Sequence, residues 1–213
     1  MAQLLEYPHH VTQRGGRGQQ TFFRQSDFEM YIELLSHARE LARVDIWAYC
    51  LMPNHVHLIV VPTSRNGLSR LLRNTHSEYA RRINKREGWQ GHLWQERFHS
   101  FVMDENHTIA AARYIEKNPV RAGLCNAAID WPWSSARAHV AGAADRLVDQ
   151  SLLTGLIDDW ARYLNEDITE QQLHDMRSHS RSGLPLGGAR FIRKLENEVG
   201  RKLVRLRPGP KQN

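Results

Sequence analysis

The chain has 213 residues, of which 41% are hydrophobic, and its formal net charge is +6 at pH 7. This length is enough for one main domain with an appendage. The longest aliphatic run, Leu58 to Val61, is far too short to span a bilayer, which predicts a cytoplasmic protein with no membrane partner. Neither Cys50 nor Cys125 has a metal-type spacing, and we expect both thiols to be reduced.

The charge is divided unevenly along the chain. Residues 1–125 have a net charge of +4, residues 126–180 have −5 and residues 181–213 have +7. A basic balance favours a polyanionic partner such as a nucleic acid. We predict a main domain over residues 1–125, a helical extension over 126–200 and a basic flexible tail over 201–213.

The first half of the main domain alternates between strand and helix patterns. A strand is followed by a glycine-rich turn, and apolar residues then recur at helical spacing. Ser26 and Glu29 have the spacing of a capping box at the start of that helix. The predicted elements are a strand at Tyr7–Gln13, a helix at Asp27–Ala42 and strands at Val44–Met52 and His55–Val61.

The second half continues with a long amphipathic helix. Pro119 is expected to stop a later helix, because the residue before a proline disfavours helical angles. Helical pieces are also expected after Pro132, although the pattern does not place them. The predicted elements are a helix from Gly67 to about Gly88, a strand at Phe98–Met103, a helix at Asn106–Asn118 and a last helix at Gly188–Val199 that Gly200 ends.

The order of these elements is β-α-β-β-α-β, with helices after it. This order predicts an α+β fold with a ferredoxin-like (RRM-like) split βαβ antiparallel sheet, to which a C-terminal helical extension and a basic tail are added. The strand at His55–Val61 is apolar on both faces apart from its two histidines. That pattern predicts an inner position in the sheet.

A pair of histidines, His55 and His57, gives the sharpest chemical signal. Residues two apart in a strand point to the same face, so the two imidazoles lie side by side. A shared divalent cation is one way to satisfy both rings, and two hydrogen-bonded structural histidines are the alternative. A histidine-triad nucleotide hydrolase would need a third histidine at the position of Ile59, so the pattern argues against that class.

A second pair, Tyr114 and Asn118, can complete such a site. The two residues are four apart on a predicted helix and therefore share one face. An Asn carbonyl oxygen is a reasonable ligand for Mg²⁺ or Mn²⁺. Taken alone, the pair is better explained by a tyrosine packed in the core and an asparagine that ends the helix before Pro119.

Four blocks of sequence are recognisable together: AYCLMPNHVHLIVVP, GHLWQERFHS, ARYIEKNPVRAGL and WPWSSARAHVAG. In order and spacing they resemble the REP-associated tyrosine transposases, which are single-strand endonucleases of the HUH (His–hydrophobic–His) superfamily. The resemblance covers roughly Tyr7 to Gly142, and the C-terminal stretch GLPLGGARFIRKLENEVGRKL is similar to longer members.

The resemblance implies a role for each of the residues above. His55, His57 and Asn118 would be ligands of a divalent metal, Mg²⁺ or Mn²⁺, and Tyr114 would be the nucleophile. The implied activity is cleavage and rejoining of single-stranded DNA through a 5′-phosphotyrosine. The implied partner is a palindromic repeat folded as a single-stranded hairpin, and a monomer and a homodimer both remain open.

Other residues are candidates for DNA binding or for proton transfer. His92, Glu96 and His99 are near the site in sequence and are candidate bases for Tyr114. Trp89, Trp94 and Phe98 either stack on bases or anchor a loop, and Trp131 and Trp133 are expected to form a structural clamp. The candidate DNA-binding residues are Thr12, Arg14 and Arg17 after the first strand, and Arg70, Arg73 and Arg81 on the long helix.

Two other functions remain open. One is a non-catalytic or domesticated nucleic-acid-binding protein on the same fold. The other is a metal-dependent phosphodiesterase for small nucleotides, against which the large basic appendage argues.

Overall fold

The computed structural model describes residues 4–148 and 151–203. Within these ranges, four strands form one antiparallel sheet in the order β2-β3-β1-β4. This arrangement confirms the predicted α+β, ferredoxin-like class and the inner position of the strand with the two histidines. The strands are β1 (His9–Arg14), β2 (Val44–Met52), β3 (His55–Pro62) and β4 (His99–Val102).

Helices cover both faces of the sheet. The first two pack on one face, while the third and much of the C-terminal extension pack on the other. The helices are α1 (Gln25–Ala42), α2 (Gly67–Glu87), α3 (Glu105–Glu116), α4 (Asn118–Arg121), α5 (Ala136–Ala141), α6 (Ser151–Thr154), α7 (Trp160–Asn165), α8 (Glu170–Ser182) and α9 (Ala189–Val199). No helix in these ranges has the length and apolar character that crossing a bilayer requires.

Strand β3 divides its side chains between the two faces. Val56, Leu58 and Val60 are fully buried in the core that α1 and α2 cover. His55 and His57 lie on the opposite face, because successive side chains of a strand alternate. One strand therefore supplies both the centre of a hydrophobic core and the histidine pair.

The start of α1 differs from the predicted capping box, which is wrong. The helix begins at Gln25, before Ser26, and the carboxylate of Asp27 accepts hydrogen bonds from the backbone N–H groups of Phe23 and Arg24, at 2.8 and 3.1 Å. Asp27 is buried and forms an ion pair with Arg86 of α2. A tertiary ion pair, which local spacing cannot reveal, thus selects the capping residue.

The helix with Tyr114 also ends differently from the prediction. Helix α3 stops at Glu116, and after Lys117 a new short helix begins at Asn118 with Pro119 in its first turn. Proline is tolerated there, because its missing N–H would have no partner at the start of a helix in any case. Tyr114 and Asn118 remain one turn apart, which preserves the relation that their spacing predicts.

The C-terminal extension packs directly against the sheet. Leu51 N–H donates to the carbonyl of Trp133 at 2.8 Å, and the Trp131 indole N–H donates to the carbonyl of Leu51 at 3.0 Å. The Trp133 ring stacks on Phe28, with ring centroids 4.9 Å apart. The two tryptophans thus form the expected clamp. Of the predicted basic tail, residues 204–213 lie outside the described residues.

Candidate active site

The site begins where β3 pairs with β1. In this register Thr12 lies opposite His57 and Arg14 lies opposite His55. The imidazole centroids of His55 and His57 are 4.9 Å apart, with the ring planes nearly perpendicular. The two rings thus lie side by side on one face, as the spacing predicts.

Neighbouring hydrogen bonds orient both imidazoles. The amide N–H of Asn54 donates to the carbonyl of Gly18 at 3.2 Å, which turns its Oδ1 toward His55. His55 Nδ1 therefore donates to that oxygen, at 2.6 Å, and its Nε2 keeps a lone pair. His57 Nδ1 is hydrogen-bonded to Nε2 of His10 at 3.0 Å, which leaves Nε2 of His57 as the unengaged nitrogen.

Burial keeps these imidazoles neutral at pH 7. Desolvation, with smaller effects from Arg14 and Arg121, lowers the pKa of His55 to about 4. Desolvation likewise lowers the pKa of His57 well below its usual value, and that of His10 to about 4. A neutral imidazole is the form that binds a metal ion, so the protonation state of the pair suits a cation.

Helix α3 and the turn after it bring Tyr114 and Asn118 to the same face. The Tyr114 ring is buried, and its centroid is 6.0 Å from that of His57. Tyr114, Asn118, His55 and His57 all line one cavity of about 570 Å³. The structure therefore places together the four residues that the sequence analysis singled out.

Arg121 belongs to this group, although the sequence analysis missed it. Its guanidinium lies 4.2 Å from the Tyr114 ring centroid, and it donates to the Tyr114 carbonyl at 2.9 Å and to Asn118 Oδ1 at 2.8 Å. The available signal was its spacing, because Arg121 follows Tyr114 and Asn118 by seven and three residues, which is the same helical face.

The cavity around these residues is strongly basic. Five arginines and four histidines line it, and no Asp or Glu among the described residues does so. The lining residues are His10, Thr12, Gln13, Arg14, His55, His57, Gln95, Arg97, His99, Tyr114, Asn118, Arg121, Met176, Arg177, Ser180 and Arg181. Such a cavity is suited to an anion.

The three candidate bases for Tyr114 do not lie at the same site. His99, which lies opposite Thr12 in β4, lines the cavity with Tyr114. His92 and Glu96 instead line a neighbouring cavity of about 530 Å³ beside α2. Of the three, the structure brings His99 to the site.

The predicted DNA-binding residues also lie at several different places on the protein. Thr12 and Arg14 line the basic cavity, and exposed Arg17 lies on a short 3-10 turn at Gly16–Gly18. Arg73 lines the neighbouring cavity. The other two make intramolecular contacts: Arg70 donates to the Leu41 carbonyl at 3.1 Å, and Arg81 pairs with Glu78 at 2.7 Å.

Aromatic residues in the loop before β4 have different environments. Trp94 is buried, and its indole N–H donates to the carbonyl of His76 at 3.1 Å, so it anchors the loop to the core. Trp89 is 48% exposed and packs edge-on against Phe23. Phe98 lines the neighbouring cavity.

The residues at the histidine pair fit a hard divalent cation better than a closed zinc site. Within residues 4–148 and 151–203 there is no group of three His, Cys, Asp or Glu side chains that could hold a metal. The donors that such a cation would use here are two imidazole nitrogens and the Asn118 carbonyl oxygen, which accepts from Arg121 and keeps a second lone pair. Mg²⁺ and Mn²⁺ accept such incomplete sets, because water and phosphate oxygens fill the remaining positions.

Comparison with known proteins gives a family match for this chain. Residues 7–118 match the family described as "Transposase IS200 like". A protein of Haemophilus influenzae, provisionally named a REP-associated tyrosine transposase, is 25% identical over 104 residues, which cover 44% of this chain and 59% of the relative. The chain thus spans less than two thirds of the length of that relative.

A solved structure also supports the fold described above. A REP-associated tyrosine transposase bound to a REP hairpin matches with a TM-score of 0.57 and 20% identity, over 68% of this chain and 87% of that one. A provisionally named transposase of Deinococcus radiodurans matches with a TM-score of 0.40 and 17% identity, over 55% of this chain and 94% of that one, which is too weak to establish a common fold. Because the family match spans more than half of the chain, this chain belongs to the IS200-like transposase family, and the resemblance seen in the motifs is confirmed.

Proposed function

We propose that this member of the IS200-like transposases is a metal-dependent endonuclease and strand transferase that acts on single-stranded DNA through Tyr114. One observation carries the proposal: the same basic cavity is lined by Tyr114, His55, His57 and Asn118. The two pairs are far apart in sequence, so nothing in their spacing requires them to lie together. Family membership supports the same activity.

The proposed cleavage is an in-line transfer of a phosphoryl group. The Tyr114 hydroxyl oxygen forms a bond to phosphorus while the bond from phosphorus to the 3′ oxygen breaks. The phenol proton passes to a base, and the leaving 3′ oxygen takes a proton from water. A 5′-phosphotyrosine and a free 3′ hydroxyl result, so a second 3′ hydroxyl can reverse the step without ATP.

The chain's own residues have distinct tasks in this step. A divalent cation, Mg²⁺ or Mn²⁺, bound by His55, His57 and Asn118 would polarise the scissile phosphate. Arg121 holds the backbone of Tyr114 and the side chain of Asn118, and its guanidinium is placed to offset negative charge on the phosphoryl group. His99 is the proposed acceptor of the phenol proton.

The proposed substrate is a palindromic repeat folded as a single-stranded hairpin. The solved REP-associated tyrosine transposase, which is bound to a REP hairpin, supports this choice of substrate class. Thr12, Arg14 and Arg17 would contact the strand near the histidine pair. Arg70, Arg73 and Arg81 on α2 would contact phosphates farther away, with Arg73 the best placed of the three because it lines a cavity.

A covalent-adduct assay tests the proposal. The chain is incubated with labelled hairpin oligonucleotides and Mn²⁺, and adducts that survive SDS are resolved on a gel. We expect Tyr114→Phe to remove the adduct and to leave hairpin binding near wild type, because only one hydroxyl is lost. Tyr163→Phe is the matched control, since that tyrosine lies on α7 and does not line the cavity.

Two outcomes would reject parts of the proposal. An adduct that persists in Tyr114→Phe would mean that another residue is the nucleophile. Hairpin binding with no adduct in the wild-type protein, with either metal, would favour the non-catalytic nucleic-acid-binding alternative.

A further inference from the structure

Helix α8 lies in the C-terminal extension, beyond residues 7–118 that match the family, yet it forms one wall of the basic cavity. Its cavity side consists of Met176, Arg177, Ser180 and Arg181. The spacing of these residues is that of one helical face, because positions four apart are neighbours on a helix. Met176 is 2% exposed and anchors this face in the core beside β4.

Contacts at both ends hold α8 in this position. At its start, Arg113 of α3 donates to Glu166 at 2.8 Å and to Gln172 at 3.2 Å. After its end, Leu186 N–H donates to the carbonyl of Val102 in β4 at 2.8 Å. The helix is thus tied both to the helix that bears Tyr114 and to the sheet, as a fixed wall would be.

Within residues 4–148 and 151–203, the arginines of this wall have no hydrogen-bond or ion-pair partner. Arg177 and Arg181 are exposed, and no hydrogen bond or ion pair engages either guanidinium in the described part of the chain. The same is true of Arg14 and Arg97 across the cavity. Four unpaired guanidiniums thus converge from three separate parts of the chain on a cavity that no described carboxylate lines. Such a concentration of positive charge around one cavity favours the binding of an anion.

We propose that α8 is a DNA-binding wall, and that Arg177 and Arg181 bind phosphates of the single strand next to the bond that Tyr114 cleaves. The inference rests on the proposed function for the identity of the anion. It adds a part of the substrate site that belongs to the C-terminal extension. The two arginines are one helical turn apart, so they can contact two different phosphates of one extended strand.

Salt dependence of binding is the direct test. A fluorescent oligo(dT), which has no hairpin, is titrated with the full chain in EDTA at several salt concentrations, so that neither metal nor hairpin recognition enters. Each lost phosphate contact lowers the salt slope by about 0.7 for a single strand. For the Arg177→Gln/Arg181→Gln double variant we expect a decrease of about 1.4, and binding about 25-fold weaker at 0.1 M salt.

Two further variants make the result specific. Arg146→Gln/Arg162→Gln removes the same charge from two exposed arginines that do not line the cavity, and we expect the wild-type slope. Arg177→Lys/Arg181→Lys keeps the charge and should keep most of the slope. Thermal unfolding of each variant establishes that it is folded.

The outcomes separate this inference from the proposed function. Equal effects in the Arg177/Arg181 and Arg146/Arg162 variants, or no binding by the wild type, would overturn the inference. Tighter binding by the Arg177/Arg181 variant would also overturn it, because α8 would then be a cover that competes with the strand. If the slope changes as expected but no Tyr114 adduct forms with hairpins, the α8 wall stands and the nuclease proposal fails.

Discussion

The two faces of the sheet differ in character, although β3 contributes side chains to both. On the α1–α2 face, Leu58 and its neighbours are fully buried among apolar and aromatic side chains. On the α3–α8 face, His57 is almost as buried, at 4% exposure, but it lies beside a basic cavity. Core residues and residues of the proposed site thus alternate along one strand, so the two sets can be changed separately.

The α3–α8 face also depends on long-range polar contacts. Glu116, two residues after Tyr114, is fully buried and accepts hydrogen bonds from Ser135, from His139 and from the Trp160 indole N–H. These partners belong to the C-terminal extension. The position of the tyrosine helix is therefore set by residues far away in sequence, whereas the histidine pair is set by the strand itself.

Substitution of adjacent residues in β3 should give the largest difference between the two faces of the sheet, because one residue affects cleavage and its neighbour affects stability. We expect His57→Ala and His55→Ala to reduce cleavage by about a thousandfold or more, since a bound cation contributes several kcal/mol to the transition state. Excess EDTA should have the same effect on the wild type. Asn118→Ala should reduce cleavage less, because water can replace one neutral oxygen ligand. Adduct yield and Mn²⁺ titration measure these effects.

Leu58→Ala is the matched control on the opposite face. Removal of this buried side chain should lower the free energy of unfolding by about 2–5 kcal/mol. It should leave the Mn²⁺ affinity of the folded protein unchanged. Loss of metal binding in folded Leu58→Ala would mean that the two faces are not independent, and full activity in EDTA would remove the metal from the mechanism.

Glu116→Ala tests the dependence of α3 on the extension. The substitution removes the acceptor of the His139 and Trp160 N–H groups, whereas the Ser135 hydroxyl keeps the Tyr49 carbonyl at 3.3 Å, and we expect a loss of about 3–5 kcal/mol in unfolding free energy. Adduct formation should fall with it, since Tyr114 is on the same helix, while Mn²⁺ affinity in molecules that stay folded should change little. Glu105→Ala, at the exposed start of α3, serves as the control. Equal thermal stability of the two variants would contradict this account.

The sequence predicts the sheet side of the site better than the helix side, for a physical reason. A period of two places His55 and His57 on one face whatever the rest of the chain does. The strand and helix bounds near them, such as Val44–Met52, follow from local patterns and are confirmed. The roles of His10 and Arg177 depend on strand register and on a helix more than 100 residues away, which no local pattern encodes.

The same reason explains the local errors. The spacing of Ser26 and Glu29 satisfies a capping rule, but the buried ion pair of Asp27 with Arg86 decides where α1 begins. Family resemblance supplied the connection between the histidine pair and Tyr114, and the spacing of the residues did not. Arg121 had a usable signal in its helical spacing from Asn118, whereas α8 had none.

His10→Ala should reduce the metal affinity of the histidine pair to a moderate extent. Nε2 of His10 is hydrogen-bonded to Nδ1 of His57 and so fixes that imidazole, and loss of such a supporting bond lowers metal affinity by about 10–100-fold. Isothermal titration with Mn²⁺ measures this change. His9→Ala is the control on the same strand, because His9 is also buried but bonds to the Leu4 carbonyl instead. An unchanged affinity in folded His10→Ala would exclude His10 from the support of the site.

Per pH unit, the smallest expected effect is an acid sensitivity of the α1–α2 face. His76 of α2 is buried and hydrogen-bonded to the Tyr31 hydroxyl at 2.9 Å, and burial lowers its pKa to about 3. In the unfolded chain a histidine has a pKa of about 6.5. As pH falls below that value the unfolded state gains a proton that the folded state does not, so this residue lowers stability progressively between pH 6.5 and about 3.

Replacement of His76 by Phe removes this sensitivity and keeps a ring of similar size. In this window the unfolding free energy of wild type should fall more steeply than that of His76→Phe, by at most about 1.4 kcal/mol per pH unit. The loss of the bond to Tyr31 lowers the stability of the variant at pH 7, so the comparison uses the slope against pH and not the absolute value. Urea unfolding from pH 7 to pH 4 measures both slopes. Parallel slopes would mean that the pKa of His76 is not lowered in the folded protein.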